Sequence, residues 1–186
     1  METSGHRDDS GCPEPRVRLG SALESLGGIT YMNQSSPKYS ELYPPGDYEW
    51  YACDALGHVA VFTTGEVGPV PSRVLSSRSV ADTFAGIVKK MSPRGSASMI
   101  VSLPDPGWFS HIASCGFFAY DWHDVHRTVS LRHRYELLSR PDAPIHVTEL
   151  PEQLQQLVSK TVFADLDFAD SREIDVRAYF DCEPAS

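Results

Sequence analysis

The amino-acid sequence predicts an α+β fold: a mainly antiparallel sheet built around a central hairpin (48–64), with three or four helices packed on it. Three observations carry that expectation. Residues 48–64, Tyr-Glu-Trp-Tyr-Ala-Cys-Asp-Ala-Leu-Gly-His-Val-Ala-Val-Phe-Thr-Thr, set two runs of aromatic and β-branched residues on either side of Asp54-Ala55-Leu56-Gly57, a group of turn formers. A second aromatic run, Phe117–Trp122, follows Gly116 and reads as a strand. Apolar residues also recur at helical spacing in two places, Val80 to Met91 and Leu154 to Val162.

Taken in order, residues 1–15 are polar, carry Gly, Ser and Pro, and read as a disordered tail ahead of a single domain over 16–186. Val17, Leu19, Leu23 and Leu26 allow a short helix that Gly27-Gly28 would stop, and 29–47 reads as a loop bearing Tyr31, Tyr39 and Tyr43. In the second run of the hairpin both alternating faces are apolar, which predicts a hairpin inside the sheet and covered on both sides. Gly65–Pro71 forms a turn into a helix whose one face holds Val80, Phe84, Ile87, Val88 and Met91, with Ser77 or Ser79 as its cap. Ser98–Leu103 reads as a strand or a short buried segment, and Pro104-Asp105-Pro106 starts a helix over 107–114 that Gly116 ends. His123–His126 reads as a break before a strand from Thr128 to Leu138, and Arg140–Pro144 as a turn. A Pro151-led helix buries Leu154, Leu157, Val158 and Val162, and Ile174–Phe180 reads as a closing strand with Ile174, Val176, Ala178 and Phe180 on one face.

Charge narrows the function classes. The net charge is −9 over 186 residues, and it is uneven. Residues 1–60 hold four basic residues against nine acids (−5), 148–186 hold three against nine (−6), and the middle holds nine against seven (+2). Nucleic-acid binders neutralise phosphates with clustered Lys and Arg, so a nucleic-acid partner is not expected. No apolar run reaches the length of a membrane helix, and the N-terminus lacks the basic start and apolar stretch of a secretory signal. A cytoplasmic protein without a membrane partner is expected. Cys12, Cys53, Cys115 and Cys182 form no Cys-x-x-Cys pair and read as free thiols.

Few constellations point to catalysis. His123 and His126, with Asp121, Asp124 and His133 nearby, have the chemistry of metal ligands, so a small metal-dependent or hydrolytic enzyme is the alternative reading. The spacing lacks His-Glu-x-x-His, no Gly-x-Ser-x-Gly elbow exists, and neighbouring Ser110 and His111 cannot form a nucleophile–base pair. No catalytic residue, metal or cofactor is assigned. The stronger candidate is the C-terminal acidic segment: Asp165, Asp167, Asp170, Glu173 and Asp175 are interleaved with apolar residues, the pattern of a folded acidic face that meets a basic partner.

The order of motifs resembles a family of small bacterial proteins. The resemblance rests on Trp-Tyr-Ala-Cys-Asp-x-x-Gly-His-Val-Ala-x-Phe-Thr at Trp50–Thr63, Gly-Phe-Phe-x-Tyr-Asp-Trp at Gly116–Trp122, and the Pro-led helix at Pro151–Val162. It spans about two thirds of the chain, from residue 47 onward. Such proteins are similar to those found beside secreted antibacterial toxins, and the resemblance implies an immunity-type protein that binds and neutralises its cognate toxin. The shared motifs fall on core positions, so they transfer a fold and no catalytic residues.

Overall fold

A computed structural model describes residues 47–126 and 131–183. The tail at 1–15, the helix at 17–26 and the Tyr-rich loop expected from the sequence lie outside these residues, as do the first three residues, 128–130, of the strand expected from Thr128. The described residues form an α+β fold in which strands and helices both contribute to one core.

The hairpin is its centre. Strand β1 (Glu49–Asp54) pairs antiparallel with β2 (Val59–Thr63), from Glu49 opposite Thr63 to Cys53 opposite Val59. Gly57 closes the turn at φ +79°, a left-handed backbone that costs glycine little and other residues more. After the hairpin the chain makes a two-residue strand β3 (Val70–Pro71), a single helical turn α1 (Ser72–Leu75) and the longer helix α2 (Arg78–Val88). Strand β4 (Ala97–Met99) leads to helix α3 (Gly107–Ser114), and Gly116, at φ +102°, turns the chain into β5 (Phe118–Trp122). A one-turn helix α4 (His123–His126) precedes β6 (Tyr135–Pro141), and α5 (Glu152–Val158) leads into β7 (Val162–Phe163). Strands β8 (Glu173–Ile174) and β9 (Cys182–Glu183) close the described chain.

Seven strands make the main sheet in the order β4-β6-β5-β2-β1-β7, with β8 also paired to β6, while β3 and β9 form a separate antiparallel pair. Antiparallel pairing predominates, as the sequence predicts. Two parallel pairings, β2 with β5 and β1 with β7, put the hairpin in the interior, where a two-faced apolar pattern belongs.

Both faces of the hairpin are covered. On one, Tyr51 stacks on Phe84 of α2 with ring centroids 4.1 Å apart. On the other, register sets Trp50 opposite Phe62 and Phe62 beside Tyr120, so three rings stack across three strands at 4.1 and 4.9 Å. Phe163 and Phe168 meet Phe62 from the C-terminal segment, and Tyr135 crosses it edge-on at 5.2 Å. All eight rings are at least 98 % buried. Each removes an aromatic side chain from water, worth about 2–3 kcal/mol before conformational entropy is counted.

Several expectations are corrected. In α2 the buried stripe is Ala81, Phe84 and Val88, whereas Val80 and Ile87 are exposed, because only one narrow face of the helix meets β1. Ser77 occupies the cap position but makes no side-chain cap bond; its hydroxyl receives Lys160 Nζ instead. His123–His126 is a helical turn, not a break. The strand read at 128–138 runs over 135–141 instead, through the stretch read as a turn, because β4 pairs with Ser139–Pro141. Helix α5 ends at Val158, and Val162 lies exposed in edge strand β7. The closing strand stops after Ile174: Asp175 accepts the backbone N–H of Arg177 and bends Val176–Ala178 into a 3-10 turn.

Candidate acidic face and its supporting clasp

The acidic segment is held by buried hooks. Tyr120, on the central face of the sheet, donates its hydroxyl to the Ser171 carbonyl at 2.6 Å, and the backbone N–H of Phe168 donates to Asp54 Oδ2 at 3.0 Å. Phe168 sits in the aromatic cluster, so the loop carrying Asp165, Asp167 and Asp170 is anchored from beneath.

The five carboxylates proposed from sequence then divide. Glu173 pairs with Arg132 Nη1. Asp175 accepts Arg177 Nε at 2.9 Å and Nη2 at 3.1 Å, and this contact with the guanidinium holds its carboxyl below the usual carboxylate range. Asp167, half-buried, accepts the N–H of Ala169 at 2.8 Å and lies beside the hairpin turn. Asp165 and Asp170 are exposed, and among the described residues neither carboxylate has an ion-pair partner. The free acidic surface is therefore narrower than the sequence suggests, and it is centred on those two.

Sequence reasoning missed the apolar residues beside them. Leu56, at the tip of the hairpin, is 56 % exposed, and Val162 is 41 % exposed. The N–H of Ala55 donates to the Leu166 carbonyl at 3.0 Å, which binds the hairpin turn to the acidic loop. Leu56 followed by Gly57 at a turn was legible as an exposed apolar tip. The exposure of Val162 was not, because it depends on helix α5 ending early.

Beneath this surface lies a group of metal-ligand type, Asp54, His58 and Asp167, whose donor atoms lie within 4.8 Å of one another. Asp54 Oδ1 accepts the backbone N–H of Leu56 and of His58, each at 2.9 Å, while Oδ2 receives Phe168 N and faces His58 Nδ1 at 3.2 Å. Four contacts use the lone pairs of one carboxylate. The group is thus a clasp that sets the turn and ties the acidic loop to it. Asp54 two residues before Leu56 is an Asx-turn signature that the sequence already displayed.

The histidine-rich stretch is also structural in its geometry. Asp121 is buried on β5 and accepts the Thr63 hydroxyl. Asp124 accepts the backbone N–H groups of Arg132 and His133 and pairs with His133 Nδ1 at 2.9 Å, while His123 Nδ1 lies 3.4 Å from it. Burial acts to raise the Asp124 pKa, but the N–H donors and histidines outweigh it and hold the carboxyl below its usual value. His133 thereby keeps a left-handed backbone at φ 54°. The side chain of His126 lies outside the described residues. Cys53, Cys115 and Cys182 are free thiols, with Cys53 and Cys115 buried.

No helix among the described residues is long and apolar enough to cross a membrane. The chain matches no protein-family model, no curated protein and no solved structure.

Proposed function

We propose that this chain is a cytoplasmic binding protein of the immunity type, which neutralises a cognate antibacterial toxin by seating its acidic face on a basic surface of that toxin. One observation supports this reading above the others: two exposed apolar side chains, Leu56 and Val162, share one end of the sheet with the unpaired carboxylates Asp165 and Asp170. An interface needs both parts. Apolar anchors supply affinity by leaving water, and carboxylates steer a basic partner and set the register of docking. The supporting clasp adds rigidity, so little ordering entropy is lost on association.

The alternative, a small metal-dependent or hydrolytic enzyme built on His123 and His126, draws less from the geometry. Asp124, its nearest carboxylate, is already committed to the backbone of Arg132 and His133. Metal analysis of the purified chain distinguishes the two, since stoichiometric metal lost in a His123→Ala variant would favour the enzyme.

The binding reading is tested by co-expression with the product of the adjacent gene. Asp165→Lys with Asp170→Lys should slow association about tenfold or more and flatten its salt dependence. Leu56→Ala should act on dissociation instead. Undiminished protection and unchanged salt dependence in the charge-reversed protein would sink the proposal.

A further inference from the structure

The clasp beneath the acidic loop carries more negative charge than a clasp needs. The Asp54 side chain is fully buried, and among the described residues its one ion-pair partner is His58, which is neutral unless protonated. A second carboxylate, that of Asp167, brings an oxygen within 4.8 Å of the Asp54 and His58 donor atoms. Among the described residues no Lys or Arg pairs with either carboxylate. Buried carboxylates are ordinarily paired with a cation or bound to a metal, and two of them side by side repel unless positive charge stands between them.

The donor atoms fit a metal ion. Backbone N–H groups of Leu56, His58 and Phe168 take three of the four lone-pair directions of Asp54 and hold its carboxylate in place. The fourth, on Oδ2, faces His58 Nδ1 at 3.2 Å. Two ligand atoms about 2.0–2.1 Å from a tetrahedral zinc ion stand about 3.3 Å apart, so this pair already has the spacing of neighbouring ligands. Asp167 Oδ1 accepts the Ala169 N–H, and among the described residues nothing donates to its Oδ2, which is left to complete the set. His58 keeps 26 % of its side chain exposed, so an ion can enter from solvent.

The ligand types select the ion. An imidazole among the donors favours zinc over magnesium or calcium, which take oxygen ligands. The histidine-rich turn differs, because both oxygens of Asp124 already receive backbone N–H groups and His133 adds a further contact.

We propose that Asp54, His58 and Asp167 form a binding site for one zinc-type divalent ion, ligated by Asp54 Oδ2, His58 Nδ1 and an Asp167 carboxylate oxygen, with water in the fourth position. The ion stands between the two carboxylates, neutralises them, and locks the hairpin turn to the acidic loop. The site stands whether or not the acidic face binds a toxin.

Zinc chloride alone is the probe. The full chain, stripped with a chelator that is then removed, is titrated calorimetrically with Zn²⁺ and separately with Mg²⁺. One equivalent of zinc should bind with a dissociation constant of about 1 μM or tighter, and magnesium about a hundredfold more weakly. Zinc should also raise the unfolding temperature, as a ligand of the folded chain alone does. Asp167→Asn keeps an acceptor for the Ala169 N–H, and His58→Gln keeps the backbone N–H that Asp54 holds. Each should weaken zinc about tenfold or more, whereas His123→Ala should leave it unchanged. Circular dichroism of the metal-free variants checks that they are folded. The proposal is overturned if zinc binds no tighter than magnesium, if either Asp167→Asn or His58→Gln binds zinc as tightly as the unaltered chain, or if His123→Ala abolishes binding.

Discussion

The carboxylate of Asp54 lies 3.0 Å from the backbone nitrogen of Phe168, 114 residues further along the chain, while its other oxygen holds the turn that Asp54 itself begins. One buried side chain therefore sets a local turn and fastens a distant loop. Asp54→Ala strands three backbone N–H groups and should cost about 3–5 kcal/mol. Asp54→Asn keeps one acceptor oxygen and should cost about 1–3 kcal/mol. Urea unfolding of the two variants gives the ranking, and equal losses would show that the clasp is not what holds the loop.

Helix α2 offers a contrast between neighbours. Val88 is fully buried and Ile87 is 39 % exposed. Val88→Ala should destabilise by about 2 kcal/mol through lost burial and the cavity left behind, while Ile87→Ala should stay within about 0.5 kcal/mol. Thermal unfolding of each single variant decides it, and a reversed order would mean that the helix is rotated.

Acid should unfold the protein by an identifiable route. Asp124 and Asp175 both titrate below the ordinary aspartate range in the folded chain. The stability they contribute is therefore complete above about pH 4, the unfolded value, and is lost as pH falls through their lower folded values. Glu49 acts in the opposite sense: burial raises its pKa, so it favours the fold below the unfolded glutamate value and withdraws that support as pH rises through its folded one. Asp175→Asn should flatten the decline below about pH 4 and Glu49→Gln should not, as chemical denaturation at a series of pH values will reveal.

Cys182 should be a slow thiol although it is partly accessible. Burial pushes its pKa up to about 11. At pH 8 its thiolate fraction, and with it the rate of alkylation by iodoacetamide, should fall roughly two orders of magnitude below that of an ordinary cysteine. Peptide-level mass spectrometry against time measures this, and labelling at the rate of a free thiol would contradict it.

Much of the fold was legible where one signal acted alone. The hairpin, α3 with its Gly116 stop, and β5 each combine a residue pattern with a breaker, and the structure places all three where the sequence predicts them. Legibility failed where two signals competed. Ile174, Val176, Ala178 and Phe180 alternate like a strand, yet the Asp175 carboxylate captures the Arg177 N–H and curls the chain after two residues. The start of β6 was hidden for another reason, since Val129 and Leu131 gave an apolar alternation upstream of the residues that pair with β5. At the acidic face the residue types were readable, but their pairing was not. Only tertiary structure brings Arg132 to Glu173, and so separates neutralised carboxylates from free ones.

The parallel pairing of Cys53 with Val162, and the antiparallel pairing of Pro71 with Cys182 in the smaller sheet, bear on how the chain is born. As the polypeptide leaves the ribosome, the hairpin can zip as soon as its own turn has emerged, but its outer flank must wait for a much later segment. During that interval β1 presents an unpaired apolar edge, the kind of surface that recruits other nascent chains. Production at high rate should therefore favour aggregates, and slower synthesis or lower temperature should raise the yield of native protein without any change in its final stability.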